Sequence, residues 1–600
     1  MAPIKQNHHL LILALALSAF CVCAAASASN QLAGHPSPYL ALHADDPVHW
    51  KSWQADVFAE ARASNRLVLV SVGYFSCHWC HVMQQQSYQD DETAEFLNRN
   101  FVSVKVDREL EPDLDQRLIT FVEQVRGVAG WPLNVLITPD GYPLTGFTYL
   151  PRDDFLRLLQ HLDSEWKQNH LALSDSAREF FESGLQHSDG QVENKTISAA
   201  ALVDTFVAGA MRNADELQGG FGDTSKFPNV PQLNALLDSL TLTDTMNPEV
   251  ADFIQLSLDM MASRNLSDHI NGGFFRYTTD PDWHTPHFEK MLYDNALLSA
   301  LYLKAHRVWP GQGYATIALQ TLDFVELQLK HPQGGYMSSL SAVDRDNREG
   351  GAYLWSREQL AGRLDAAELA QLKQHWVQAP VADGLLLRPD SSAKNTAQSI
   401  VNQNIRRKLQ VTGARSMPVD DKRLASWNAM MLNALTLATD SDPRFAGRAQ
   451  TLYQDIRELF IVDDTLVRFA GHADIAAAVF EDYAYTANAF LHYGLRFKNP
   501  QAIELARHLS ERAHRIFLRS GRWQAKAQPL IPIAPGKWVI EDLVFYSPMA
   551  LWVEVALTVP ELDSTIRSSA SAMLQRVTRE MVDRPYYHGS LIILRANSPG

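Results

Sequence analysis

Leu67-Val68-Leu69-Val70-Ser71-Val72-Gly73-Tyr74-Phe75-Ser76-Cys77-His78-Trp79-Cys80 joins a β-rich run to a C-x-x-C motif. The run 67–72 is continuous and apolar, as expected of a buried parallel strand. The segment that follows, 78–98, reads as a helix, so the motif sits where a strand ends and a helix begins. A thiol at a helix N-terminus meets unpaired N–H groups and the positive end of the dipole, which favours its thiolate. Three-residue spacing lets the second sulfur attack a mixed disulfide at the first. The expected roles are Cys77 as exposed nucleophile and Cys80 as buried resolving thiol. His78, Trp79 and His81 surround the pair, and a protonated imidazole would stabilise the thiolate further. Two other readings stay open. One is half of a zinc site with His78 or His81, for which no second C-x-x-C or His pair stands nearby. The other is a structural disulfide, which gains little from closing so short a loop.

Working outward, 101–106, 133–138 and 146–150 read as further strands, with helices near 114–126 and 153–168. Strands alternating with helices imply an α/β sandwich on a mixed sheet. Trp131-Pro132 precedes the third strand. A cis-proline there would face the dithiol and leave a backbone edge open for substrate, whereas a simple strand-start proline is the alternative.

The 600-residue chain has four cysteines and a formal charge of −15. Cys21 and Cys23 fall in a segment with Lys5 as its one formal charge, an apolar run from Leu10 and a small-residue end, Ala26-Ser27-Ala28. That is the pattern of a secretory signal peptide over 1–28, cleaved after Ala28, with an uncleaved membrane anchor as the alternative. Secretion or a periplasmic location follows, with no membrane contact after cleavage. Cleavage removes Lys5 and leaves Cys77 and Cys80 as the only cysteines. Four cysteines in so long a chain exclude a disulfide-stapled scaffold. The acidic balance excludes phosphate-backbone binding as the main task, so no nucleic-acid partner is expected. No cofactor and no resident metal are expected.

Residues 30–167 are expected to form the α/β domain, 168–197 a polar linker and 198–600 a second domain. About twelve segments of 3.6-residue periodicity recur from 198 onward, joined by loops rich in Gly, Pro, Asp and aromatics. Twelve helices in pairs suit a closed double ring of six hairpins. A superhelical array is the competing arrangement, and the lack of a fixed-length repeat disfavours it.

Several long motifs resemble one family. They include Ser37-Pro38-Tyr39-Leu40, Asp46-Pro47-Val48-His49-Trp50, Cys77-His78-Trp79-Cys80-His81-Val82-Met83, Lys105-Val106-Asp107-Arg108-Glu109 and Gly130-Trp131-Pro132-Leu133-Asn134-Val135. Later come Gly219-Gly220-Phe221-Gly222, Gly272-Gly273-Phe274, Pro286-His287-Phe288-Glu289-Lys290-Met291-Leu292-Tyr293-Asp294-Asn295, Asp420-Asp421-Lys422 and Glu481-Asp482-Tyr483-Ala484. Together they resemble the spermatogenesis-associated protein 20 family. The resemblance implies a thioredoxin-like domain followed by an (α/α)6 toroid of the six-hairpin glycosidase type. Two departures stand out. The acid that thioredoxins bury six residues before their first cysteine falls at Ser71 here, and the Cys-rich ending of related chains is absent.

In such a toroid the motif loops line one mouth. Asp268, Asp280, His287, Glu289, Asp294, Asp344, Asp421, Glu481 and Asp482 are candidate acids and bases. Trp283, Phe288, Tyr293, Trp427 and Tyr483 are candidate platforms for sugar rings. Glycoside hydrolysis needs two carboxyls facing each other across a sugar. Each residue also has a plainer reading. Lys290–Asp294 fits a helical surface ion pair, Asp421 a helix cap, His287 a core histidine, and Trp427 and Tyr483 packing. Two functions follow from the sequence. One is an exported thiol–disulfide oxidoreductase acting on protein or small-molecule thiols and disulfides. The other is a carbohydrate-active or sugar-binding protein whose thioredoxin-like part is mainly structural.

Overall fold

The computed structural model describes residues 29–187, 197–242, 246–390, 396–410, 417–532, 539–576 and 579–598. The expected signal peptide, 1–28, therefore lies outside the described residues. No described helix is long and apolar enough to cross a membrane.

The first domain opens with α1 (Pro38–Leu42), capped by Ser37, and α2 (Asp56–Ser64). Next come β1 (Val68–Gly73), α3 (His78–Met83), α4 (Asp91–Asn100), β2 (Val102–Asp107) and α5 (Pro112–Arg126). The sheet is completed by β3 (Leu133–Ile137) and β4 (Pro143–Phe147). Strand order is β2-β1-β3-β4, with β1 and β2 parallel and the other pairs antiparallel. Every residue of β1 and β2 is buried, because helices cover both faces of the sheet. This is the expected thioredoxin-like arrangement.

α6 runs from Arg152 to His187 with a break at Asn169. Residues 168–187, expected to be linker, are thus helical. Phe180 and Phe181 explain why, since they pack edge-on against Phe121 and Tyr142 of the sheet domain. The remaining expected linker residues, 188–196, lie outside the described set.

The second domain is the toroid. Its outer helices are α7 (Ala199–Met211), α9 (Pro248–Ser263), α11 (Tyr314–Gln328), α13 (Phe445–Phe460), α15 (Pro500–Phe517) and α17 (Ser564–Gln575). Its inner helices are α8 (Val230–Ser239), α10 (Leu292–Val308), α12 (Ala425–Ala438), α14 (Phe480–Phe497), α16 (Pro548–Thr558) and α18 (Gly589–Asn597). Each inner helix packs on the next, and α18 packs back on α8, so the ring closes. The inner helices are buried nearly all round, α10, α12 and α14 most of all, as a double ring requires. The ring-closing α18 escaped the periodicity reading because it is short and starts at a glycine. Gly589 permits the closure: a Cβ there would lie 2.7 Å from both Ala235 and Phe206. Residues 355–390 and 396–409 form a satellite of three helices and the hairpin Trp376–Val381/Gly384–Pro389, with its own small apolar core.

Candidate active site at the domain interface

The C-terminal end of β1 carries the dithiol into the mouth of the toroid. After Gly73 the chain turns through Tyr74, Phe75 and Ser76, and Cys77 becomes the N-cap of α3. The Cys80 amide donates to Cys77 Sγ at 3.2 Å, and the two cysteines are joined as a disulfide. The Trp131–Pro132 peptide, just before the β3 residue that pairs with Val72 of β1, is cis. Gly73 has no room for a side chain. A Cβ there would strike the Tyr39 hydroxyl and lie 2.8 Å from Cys80 Sγ.

Cys77, expected to be exposed, is only 3% accessible. The toroid is the reason. The Ala342 amide donates to the Ser76 carbonyl at 3.1 Å, and Ser76 Oγ donates to Met291 Sδ at 3.3 Å. The loops that expose a dithiol in an isolated thioredoxin-like domain are here an internal contact. A cleft of about 460 Å³ remains alongside, lined by Phe75, His81 and Gln84 from one domain and Ser341, Asp344 and Asn347 from the other.

Two groups of polar residues cross this interface. The first surrounds Tyr74 and His78. Tyr74 donates to Glu289 Oε1 at 2.9 Å and accepts from Arg276, which itself pairs with Glu289 at 3.1 Å. The Arg276 guanidinium, with His287 and the Tyr74 hydroxyl, outweighs burial and holds the Glu289 carboxyl below the usual range. His287 Nδ1 lies 3.0 Å from Glu289, and its ring stacks on Tyr277. Glu349 stands between two imidazoles, 3.6 Å from His78 and 3.7 Å from His287. Burial lowers the His78 pKa while Glu349 works to raise it. Arg108 covers the rings of Trp131 and Tyr74, and Trp131 Nε1 donates to Asp115 at 2.7 Å.

The second group surrounds Lys422. Its ammonium meets Asp107 at 3.0 Å, Glu109 at 3.2 Å and Asp420 closer still. Asp107 ends β2 and Glu109 lies two residues beyond it, whereas Asp420 and Lys422 come from a toroid ribbon. That ribbon pairs Val419–Asp420 with Ser339–Leu340, and the latter with Lys290–Met291. Three carboxyls around one ammonium cannot all ionise cheaply, and burial pushes Glu109 up to about 8. Arg468 extends the group, donating from Nε to the Glu109 carbonyl at 2.7 Å and from one terminal nitrogen to both Asp482 oxygens at 2.8 and 2.9 Å. Glu481 accepts from Ser426 at 2.7 Å.

Few of the expected mouth residues are therefore free. Asp268 pairs with Lys290 at 2.6 Å, which displaces the expected Lys290–Asp294 pair, and it also accepts from two backbone amides. Asp280 accepts from the His284 and Thr285 amides, and Asp344 holds its own loop through the Asp346 and Arg348 amides. Asp421 is exposed, and its neighbour Asp420 faces the interface instead. Glu481 and Asp482 bind Ser426 and Arg468. Trp283, Phe288, Tyr293, Trp427 and Tyr483 are all at most 2% accessible, so the expected sugar platforms are core residues. Asp294 differs from the rest: burial pushes its carboxyl up to about 8, and its Oδ2 has no partner. No group of three or more potential metal ligands occurs among the described residues.

The motifs named Asp107, Arg108, Glu109 and Lys422, but nothing in the sequence told that they meet residues of the other domain across the interface. The signal was charge at the end of a strand otherwise reading as apolar. Arg468 lay outside every motif.

A family described as "Protein of unknown function, DUF255" matches residues 29–184. Spermatogenesis-associated protein 20 from Mus musculus is 30% identical over 556 residues, covering 81% of this chain and 70% of the mouse protein. The Rattus norvegicus protein is 32% identical over 461 residues, covering 68% of this chain. The chain spans 58% of the length of the rat and human relatives. Among solved structures, a cellobiose 2-epimerase from Spirochaeta thermophila aligns with 66% of this chain and 94% of its own length, at 15% identity and a TM-score of 0.44. A DsbH oxidoreductase aligns with 19% of this chain and 83% of its own length, at 20% identity and a TM-score of 0.16. With relatives of this identity and coverage, and with the motifs meeting at one interface, the chain belongs to the spermatogenesis-associated protein 20 family.

Proposed function

We propose that the protein is an exported thiol–disulfide oxidoreductase that works through Cys77 and Cys80, with the toroid as one wall of its active site. The observation that carries this reading is the Cys77 sulfur at a helix N-cap, accepting the Cys80 amide. That setting stabilises a thiolate at Cys77 and places Cys80 to displace whatever is bound there. Export rests on the sequence pattern of residues 1–28. With Cys77 so nearly sealed, the substrate is a small thiol or disulfide, or a protein segment admitted when the domains part. The carbohydrate reading has little left to stand on, since its candidate rings are core residues and most of its carboxyls are paired.

Replacing Cys80 with Ala removes the resolving thiol. Cys80→Ala should accumulate mixed disulfides through Cys77, visible as adducts on non-reducing gels and by mass. Absence of adducts under conditions that reduce the wild-type pair would sink the proposal.

A further inference from the structure

Beside the dithiol stands a carboxylate without a permanent cation. Glu349 is fixed by its own loop, since it bridges back to Val343 and the Asp344 amide donates to the Arg348 carbonyl at 3.0 Å. Its two oxygens lie 3.6 Å from His78 Nε2 and 3.7 Å from His287 Nε2, both too long for hydrogen bonds. No Lys or Arg pairs with Glu349 among the described residues. Arg276 is taken by Glu289 and Tyr74, and Arg348 by Asp344 and Asp346.

Both imidazoles turn an acceptor toward the same space. His287 lies on a ribbon that pairs Pro286–His287 with Tyr277–Thr278, and its ring stacks on Tyr277. It is 4% accessible, and its Nε2 is buried without a hydrogen-bond partner. Glu289, 3.0 Å from Nδ1, puts the ring proton on that nitrogen and leaves Nε2 a lone pair. Burial favours the neutral form of His78 against the pull of Glu349. On the far side of His78, Trp79 is 44% exposed, and its ring centroid lies 4.9 Å from that of Tyr149. Exposed indole faces attract cations and cover apolar stems. Cys77 is 3% accessible, so a slim molecule reaches it more readily than a folded one.

We propose that Glu349, His78 and His287 form the substrate-selecting end of the dithiol site, and that they take a small disulfide carrying an ammonium group close to its sulfur. Trp79 covers the stem of that substrate. This deepens the oxidoreductase reading above and rests on it. An ammonium has three N–H donors and no acceptor, and it meets three acceptors here. A carboxylate or phosphate in the same place would face a carboxylate and two lone pairs, which rejects anionic disulfides.

In the exchange, the Cys77 thiolate attacks one sulfur of the bound disulfide. The substrate S–S bond breaks, and the first half leaves as a thiolate that takes a proton from water. Cys80 loses its proton to water, and its thiolate attacks Cys77 Sγ and releases the second half in the same way. The substrate disulfide gains two electrons and the protein dithiol loses them.

The test uses the full chain, reduced and freed of reductant, at about 0.15 M salt to screen the overall acidity of the protein. Three disulfides of similar length are the probes: cystamine with two ammonium groups, neutral hydroxyethyl disulfide, and dithiodipropionate with two carboxylates. The rate at which each oxidises the Cys77–Cys80 pair is read by thiol-specific mass tags and divided by its rate with free mercaptoethanol. Cystamine should react fastest and dithiodipropionate slowest, about tenfold apart. Glu349→Gln should shrink that spread about fivefold, and Glu349→Lys should invert the order. The spread is a ratio within one protein, so a change in Cys77 reactivity cancels. Asp252→Asn, the same change of charge on an exposed position of α9, should leave the spread intact. A wild-type protein without the preference, or a Glu349→Gln spread equal to that of the wild type, overturns the proposal and leaves the oxidoreductase reading standing. A reduced protein that reacts with none of the three overturns both.

Discussion

The two polar groups that join the domains are built differently. Around Lys422 the groups are fully buried, ion-paired and closed off from water. Around His78 the spacing is looser, with Glu349 about a third exposed and 3.6 to 3.7 Å from either imidazole. Saturated buried charge is a fastener, because removing one member strands the others. Loose, half-wet charge next to the Cys77–Cys80 pair can shift in protonation without unlocking the structure. The toroid thus holds the thioredoxin-like domain with the Lys422 group and reaches its dithiol with the His78 group.

The largest expected effect breaks the fastener. Lys422→Met leaves three carboxyls facing one another and should cost about 3–5 kcal/mol of stability in urea unfolding. The same change should raise the accessibility of Cys77 to alkylation of the reduced protein. A loss under about 1 kcal/mol would mean that the Lys422 group does not hold the interface.

The next test exploits Glu109. Its folded pKa of about 8 stands above the unfolded value of 4.5. The stability it contributes is complete below 4.5 and is lost as pH climbs through about 8, since the folded state must then give up a proton it prefers to keep. The wild-type melting temperature should therefore fall relative to Glu109→Gln between pH 5 and pH 8.5. A constant difference between the two proteins across that range contradicts the assignment.

The smallest effect concerns the loose group. Glu349 supports the protonated form of His78, and imidazolium beside Cys77 favours its thiolate. Glu349→Gln should leave stability within about 0.5 kcal/mol and make the dithiol more reducing by about 20 mV or less. An unchanged potential would confine Glu349 to a surface role.

The same contrast explains what the sequence could and could not tell. Cys77, Cys80 and the Trp131–Pro132 peptide were legible because strand, motif and helix follow one another within a few dozen residues. Eleven of the ring helices were legible from their periodicity, and α18 was not, since its placement depends on Gly589 meeting Ala235 and Phe206. The acids of the toroid mouth were legible as a set of candidates, but their partners were not. Their partners, Arg276 for Glu289, Lys290 for Asp268, Ser426 for Glu481 and Arg468 for Asp482, are joined to them by tertiary folding alone. Without those partners Glu481 and Asp482 look like free carboxyls. The burial of Cys77 was hidden for the same reason, because no local pattern shows that Ala342 lies on Ser76.

A redox titration of the full-length protein in glutathione buffers, read by thiol-specific mass tags, tests the central claim most directly. The account predicts one reversible two-electron transition in which Cys77 and Cys80 change state together. A pair that stays oxidised throughout, even after a strong dithiol reductant, would identify the disulfide as structural and contradict the account.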